Sequence, residues 1–157
     1  MTNEKKQAFT LRITSANSTE LIEILYEMLL EYVDDAKAAI EKNDINEIHD
    51  SIRKARGCLR ELMESIDFEY DIAGYFMSLY AYVNKELLLA EIRKDVKIFD
   101  NVKVVIEPLR DTYIELAKLD KSEPVMQNTQ KVTAGLTYSK NNINESLDEQ
   151  NNRGFYV

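Results

Sequence analysis

The sequence predicts an all-α fold: an antiparallel up-down four-helix bundle with an N-terminal arm and a long polar C-terminal tail. Residues that break helices are scarce, with four glycines and two prolines among 157 residues, whereas Leu, Ile, Glu and Lys are common. Apolar residues recur at intervals of three and four in four successive segments, and the short connections between them favour antiparallel neighbours. We therefore assign residues 1–16 to the arm, 17–119 to the bundle and 120–157 to the tail.

The first two bundle helices both begin with a capping-box pattern. Asn17 is followed three residues later by Glu20, and Asp44 by Glu47, the spacing at which side chain and backbone bond to each other at a helix start. The predicted inward face of the first helix consists of Leu21, Leu25, Met28, Tyr32, Ala36 and Ala39. The second helix has the most regular seam, made of Ile45, Ile48, Ile52, Ala55, Leu59, Leu62 and Ile66.

The third and fourth helices follow the same period. The third is predicted from Asp71 to about Asp95, with Ile72, Phe76, Leu79, Val83, Leu87 and Ala90 facing inward. The fourth presents Ile98, Val102, Val105, Leu109, Tyr113 and Leu116. Pro108 lies inside it, where proline costs ~3 kcal/mol and removes a backbone hydrogen bond. Because the apolar phase continues across Pro108, we predict a bend near residues 104–108 rather than a break.

The segment after Leu119 is rich in Asn, Gln and Ser. Two readings of it stay open at this point. In one, Pro124 begins a short helix that continues through Val132 and Leu136; in the other, the tail is disordered.

Charge and hydropathy narrow the class of partner. The formal net charge is −8, and Lys121 to Val157 hold four basic and four acidic residues, so −8 − 0 = −8 lies in residues 1–120. An acidic body argues against nucleic acid and anionic membranes as partners. The sequence shows no targeting segment and no apolar run of ~18 residues. We therefore expect a cytoplasmic protein without membrane insertion.

Residues that carry catalysis are nearly absent. His49 is the single histidine and Cys58 the single cysteine, which excludes an intrachain disulfide, and the histidine pairs of a di-iron bundle are missing. His49 leaves a histidine phosphotransfer bundle as an alternative, but Asp50 and Ser51 follow it where such domains have a His-x-Leu-Lys-Gly pattern. Cys58 is typical of a small buried hydrophobe. We predict no enzymatic activity, no metal and no cofactor.

The third helix has more apolar surface than a bundle helix needs. On a helical wheel Tyr75 and Tyr82 fall on one flank of the inward face, and Phe76 and Tyr80 fall on the other, so the apolar arc exceeds the usual stripe of ~100°. The excess is either the ordinary apolar content of a protein surface or a groove for amphipathic helices. Gly57, on the outward face of the second helix, costs ~1 kcal/mol against alanine. Its presence there is explained either by a partner backbone that passes close to it or by a surface position that tolerates glycine.

Four sequence patterns together resemble the FliS family of flagellar secretion chaperones. They are Asn17-Ser18-Thr19-Glu20-Leu21 with Leu25-Tyr26, then Ile52, Ala55 and Glu61-Leu62, then Leu79-Tyr80 with Tyr82, Leu87 and Ala90, and finally Leu109-Arg110 with Tyr113. The resemblance covers about residues 10–117 in the same order. Tyr113 stands where the family usually has tryptophan, and Ser18 where it has proline.

The resemblance implies a chaperone that binds the disordered C-terminal region of flagellin, prevents its premature polymerisation and delivers it to the export gate proteins. The candidate flagellin contacts are Tyr26, Gly57, Phe76, Tyr80, Tyr82, Ile106 and Tyr113. A generic helical adaptor for a regulatory partner is the alternative. We further hypothesise that the tail, or the arm before Asn17, occupies the empty groove and is displaced by the substrate.

Overall fold

The structure is a computed structural model that describes residues 1–126, and these residues form five helices and no strand. The helices are α1 (Asn3–Ser15), α2 (Ser18–Glu41), α3 (Ile45–Glu64), α4 (Ala73–Arg93) and α5 (Ile98–Leu119). The all-α prediction is confirmed for this part of the chain. No helix of residues 1–126 is both long enough and apolar enough to cross a membrane.

Helices α2 to α5 enclose one apolar core. Helix α2 packs against α3 and α5, and α4 packs against the same two helices from the other side. The largest fully buried side chains come from all four helices, among them Leu29, Leu59, Leu87 and Phe99. The core that supports any surface site is therefore shared by α2, α3, α4 and α5.

The predicted helix starts at residues 17 and 44 are confirmed. The Asn17 side chain accepts a hydrogen bond from the Glu20 backbone N–H at 2.9 Å, and the Glu20 carboxylate accepts one from the Asn17 N–H at 2.9 Å. Asp44 accepts from the Glu47 N–H at 3.1 Å. Helix α4 instead begins at Ala73 without a side-chain cap, which explains why a start placed at Asp71 is two residues early.

Helix α5 continues through Pro108. The unbroken apolar phase predicts this continuity, because both halves of the helix need the same face buried. The bend near residues 104–108 stays a prediction.

Residues 1–16, predicted as an arm, contain helix α1. Thr2 caps it by accepting from the Lys5 N–H at 3.3 Å, and none of its residues is buried. It is attached to α2 by ion pairs: Lys5 with Glu31 at 2.7 Å, and Arg12 with Glu23 at 2.9 Å. An amphipathic pattern could not predict this helix, because charge pairs rather than an apolar stripe hold it.

The predicted inward face of α2 is partly wrong. Tyr32, Ala36 and Ala39 are buried as predicted, but Leu21, Leu25 and Met28 are only half-buried. The buried residues missing from that prediction are Ile24, Tyr26, Leu29, Leu30 and Val33. The reason is that α2 contacts α1, α3 and α5, so a wide arc of its surface is covered rather than one stripe.

On α3 the predicted seam from Ile48 to Leu62 is buried, but on α4 and α5 several predicted inward residues are only half-buried: Phe76, Leu79, Val105, Leu109 and Tyr113. Ile45, Ile72 and Leu116 are exposed, because each lies near a helix terminus where no neighbouring helix covers it. Ile106, predicted as a surface contact, is fully buried.

The chain after α5 returns to the junction between α1 and α2. The Val125 N–H donates to the Ala16 carbonyl at 3.0 Å, and the Thr19 hydroxyl donates to the Asp120 carboxylate. Most of the short helix predicted from Pro124 to Leu136 lies outside the described residues.

Candidate partner-binding surfaces

The predicted contact residues divide into a buried and an accessible group. Tyr26, Tyr80 and Ile106 lie in the core, whereas Phe76 and Tyr113 are half-buried at its edge. The other two predicted residues, Gly57 and Tyr82, are on the surface, and Tyr82 is 42% exposed. The first three therefore present little accessible surface in the free protein.

Four of these residues form an aromatic cluster that joins α2, α4 and α5. The ring centroid of Tyr26 lies 6.5 Å from that of Tyr80 and 5.6 Å from that of Tyr113, and the Phe76 and Tyr80 rings are 6.0 Å apart. Such separations are typical of favourable aromatic pairs. The structure thus brings together two tyrosines on α2 and α4, the residue that replaces the family's tryptophan on α5, and one accessible phenylalanine.

The two buried hydroxyls of this cluster are bonded to each other. Tyr26 Oη and Tyr80 Oη share a hydrogen bond in the core. Burial raises the pKa of the Tyr80 phenol to about 12 and raises the pKa of Tyr26 further. Both phenols therefore stay neutral at physiological pH, and each satisfies the other in a site that water does not reach.

A cavity of about 230 Å³ opens beside this cluster, at the connection between α3 and α4. Its lining includes Phe76, Tyr80 and Tyr113 from the predicted set, together with Ile22 on α2 and Tyr70 and Ile72 before α4. We call this opening the end cavity.

The connection next to the end cavity exposes large apolar side chains. Phe68 is 66% exposed and Tyr70 67%, and acidic residues alternate with them at positions 67, 69 and 71. Tyr75, in the first turn of α4, is 63% exposed. Monomeric proteins seldom expose so many large apolar side chains in one place without a partner. Tyr75 is part of the excess apolar surface predicted for α4, whereas Phe68 and Tyr70 are not among the predicted residues, although the strict apolar–acidic alternation from Ile66 to Ile72 is a visible signal.

A larger groove, of about 710 Å³, runs between α2, α3 and α4. Its apolar part is lined by Leu25, Met28 and Tyr32 from α2 and by Leu59 and Met63 from α3. This explains the half-burial of Leu25 and Met28, which were predicted to face the core. We call it the α2–α3 groove.

Gly57 lines the α2–α3 groove at a position with free space. A Cβ atom built on Gly57 would meet nothing within 4 Å, apart from its own helix backbone and chain neighbours. Across the groove the Arg56 guanidinium donates to the Asn84 Oδ1 atom at 2.8 Å, which links α3 to α4. Tyr82 lines neither the groove nor the end cavity.

The groove and the end cavity follow one another along α2 and α3. Ile22 in the end cavity lies one turn before Leu25 in the groove, and Ile66 lies about one turn after Met63. From Arg53 to Ile66 the surface extends ~20 Å at 1.5 Å per residue. A partner helix of roughly 13 residues would cover it.

Basic side chains border the groove. Arg53, Lys54, Arg56 and Arg60 line it against one carboxylate, Glu61. Lys54 and Arg53 both donate to Asp50, and these hydrogen bonds lower the pKa of the Asp50 carboxyl to about 2.

The two residues considered for chemistry lie in ordinary surroundings. His49 is exposed, and its Nδ1 atom lies 2.7 Å from the Glu91 Oε1 atom. Cys58 is buried, and burial raises the pKa of its thiol to about 12, so the reactive thiolate is scarce. Within residues 1–126 no group of three or more His, Cys, Asp or Glu side chains is placed to hold a metal ion.

Comparison with known proteins gives a consistent picture. A family model described as "Flagellar protein FliS" matches residues 1–120. The chain is 22% identical over 111 residues to the flagellar secretion chaperone FliS of Bacillus subtilis, a match that covers 71% of this chain and 84% of the relative. It is 31% identical over 97 residues to the flagellar secretion chaperone FliSB of Pseudomonas aeruginosa, covering 60% of this chain and 77% of that protein.

Proposed function

The chain belongs to the FliS family of flagellar proteins, and on that premise we propose that it is a cytoplasmic chaperone that binds the C-terminal region of flagellin. Holding that region keeps flagellin from polymerising early and allows its delivery to the export gate proteins. The observation that carries the proposal is the family match over residues 1–120. The names of the two relatives, both flagellar secretion chaperones, support the same activity.

The arrangement of surfaces supports helical capture as the mechanism. The α2–α3 groove and the end cavity offer a continuous strip on which an amphipathic helix can bury its apolar face. A segment that is disordered when free would fold on this strip, so the ordering cost is met at the moment of binding. We propose that α2 to α5 form an antiparallel up-down four-helix bundle, the rigid support for that strip.

The burial of Tyr26, Tyr80 and Ile106 gives them a supporting role in this proposal. All three belong to the core shared by α2, α4 and α5. Tyr80 also lines the end cavity with Phe76 and Tyr113, whereas Gly57 lines the groove. Tyr80→Glu is therefore a poor probe of binding, because it would bury a carboxylate and unfold the protein.

Calorimetry with the C-terminal ~50 residues of flagellin, enough for several helical turns, tests the proposal. We expect 1:1 binding with a strongly negative heat-capacity change, the mark of apolar burial coupled to folding. Tyr70→Glu should weaken binding at the end cavity. Val104→Glu is the matched control, because Val104 is 74% exposed and lines neither surface.

Absence of binding by the wild-type protein would refute the proposed function. Equal affinity of the Tyr70→Glu and Val104→Glu variants would leave the function standing and remove the end cavity from the binding site.

A further inference from the structure

We infer that the α2–α3 groove selects, within flagellin, a helical stretch that carries acidic side chains beside its apolar stripe. This inference rests on the proposed function, since it specifies which chemistry of the bound segment the groove recognises. The inference concerns the charged side chains of the bound segment, which an apolar strip alone does not specify.

The charge of the groove is opposite to that of the whole chain. The chain has a formal net charge of −8, whereas the charged residues that line the groove give 4 − 1 = +3. An acidic segment that is repelled by the body as a whole would therefore find local attraction at this one strip.

Two of the four cations are available to a partner. Arg53 and Lys54 share the carboxylate of Asp50. Arg56 bonds only to the neutral Asn84 amide, and Arg60 forms no ion pair with any described residue. Each guanidinium has further N–H donors in the fork that matches a carboxylate.

The spacing of these two arginines favours a helical partner. Arg56 and Arg60 are four residues apart on α3, so they lie one turn apart on one face. Both are exposed, next to an apolar floor that includes Leu59. A partner helix with Asp or Glu residues one turn apart could pair with both arginines while its apolar stripe covers the floor.

The surface between α2 and α5 is less favourable for such a helix. A cavity of about 380 Å³ there is lined by Glu27, Glu31, Asp34, Glu107 and Asp111 against Lys103 and Arg110, a balance of 2 − 5 = −3. Counting Lys5 and Arg12, which pair with Glu31 and Glu27, the balance is still negative, 4 − 5 = −1. This difference in charge makes the α2–α3 groove the favoured position for an acidic helix.

Charge reversal tests the inference. Arg56→Glu/Arg60→Glu changes the net charge by −4, and so does the control Lys42→Glu/Arg93→Glu, whose two positions lie outside the groove and form no ion pair with the described residues. With the flagellin C-terminal segment at about 50 mM NaCl, we expect the groove variant to bind about tenfold more weakly and the control to bind as the wild type does. Raising the salt to about 500 mM should reduce the difference.

Complementary changes in flagellin provide a second measurement. Replacing single Asp or Glu residues of the segment by Lys should identify one or two positions that weaken binding to the wild type. The same replacements should strengthen binding to the Arg56→Glu/Arg60→Glu variant more than to the equally charged Lys42→Glu/Arg93→Glu control, a difference that separates pairing from general attraction. If charge reversal disturbs folding, Arg56→Gln/Arg60→Gln should still weaken binding and flatten its salt dependence.

The outcomes separate this inference from the proposed function. Wild-type binding with equal affinities of the groove and control variants would overturn the inference and leave the chaperone role intact. Failure of the wild type to bind the flagellin segment at all would overturn both.

Discussion

Gly57 offers a test in which protein stability and partner affinity should change in opposite directions. It lies within α3 (Ile45–Glu64), far from either end, where glycine is ~1 kcal/mol less favourable than alanine. An added Cβ atom would meet nothing within 4 Å in the free protein, so no clash offsets the gain. Gly57→Ala should therefore stabilise the protein by about 1 kcal/mol and raise its melting temperature by about 4 °C.

The affinity for flagellin should fall in the same variant. If a partner helix lies in the α2–α3 groove with its backbone close to Gly57, the new methyl group occupies the space that the partner needs. Overpacking of this kind costs about 1–3 kcal/mol, and about 1.4 kcal/mol corresponds to tenfold weaker binding.

Urea unfolding followed by circular dichroism measures the stability change, and calorimetry with the flagellin segment measures the affinity. Gly74→Ala is the matched control, because Gly74 is also helical with nothing within 4 Å of a built Cβ atom, yet it lines neither surface. A loss of stability in Gly57→Ala would show that the free protein has no room for a methyl group at residue 57. A gain of stability with unchanged affinity would mean that no partner backbone approaches residue 57.

Four further outcomes follow from the structure. Tyr26→Phe should cost about 1–2 kcal/mol of unfolding free energy in urea, because it leaves the buried Tyr80 hydroxyl unpaired, and the double variant Tyr26→Phe/Tyr80→Phe should recover most of it. Because burial raises the pKa of the Tyr80 phenol from about 10 to about 12, its contribution to stability is complete below pH ~10 and is lost as the pH rises towards 12, which phenolate absorbance and melting temperature will follow. The Cys58 thiol, whose pKa burial raises to about 12, should react with Ellman's reagent only as fast as the fold opens. Arg12→Gln should speed amide exchange in α1 but not in α2, and wild-type α1 should show the same speeding at high salt.

Each of these has a clear contrary result. A Tyr26→Phe variant as stable as the wild type would mean that the hydroxyl pair is not satisfied internally. Phenolate formation by every tyrosine near pH 10 without unfolding, or immediate labelling of Cys58, would contradict their burial. Unchanged exchange in α1 after Arg12→Gln would show that the ion pairs with Glu23 and Glu27 are not what holds the helix.

The sequence predicts best those helices that bury one face. On α3 the seam from Ile48 to Leu62 is buried as predicted, because most other residues of that helix are accessible, with Ser51 and Cys58 as exceptions, and the period stands out. On α2 the same reasoning fails, since three neighbouring helices cover it. Periodicity identifies a stripe, and it cannot say how many neighbours will surround that stripe.

The candidate surface was predictable only in part. Gly57 stood out because glycine is unfavourable in a helix, and the structure places it in the groove. Tyr26 and Tyr80 could not be separated from surface tyrosines, because an aromatic residue with a hydroxyl fits the core once a second hydroxyl satisfies it. Arg53, Arg56 and Arg60 recur at intervals of three and four, a signal of one basic helix face that the net charge of −8 obscured.

The hydrogen bond between Tyr26 and Tyr80 also determines how α2 and α4 are aligned along their length. The rest of the core is made largely of Leu, Ile, Val and Ala side chains, whose apolar contacts are less directional than a hydrogen bond. A slip of α2 past α4 by one turn, ~5.4 Å, would part the two hydroxyls and leave both without a partner in an apolar interior, at about 1–3 kcal/mol each. This polar pair thus favours a single register of α2 relative to α4.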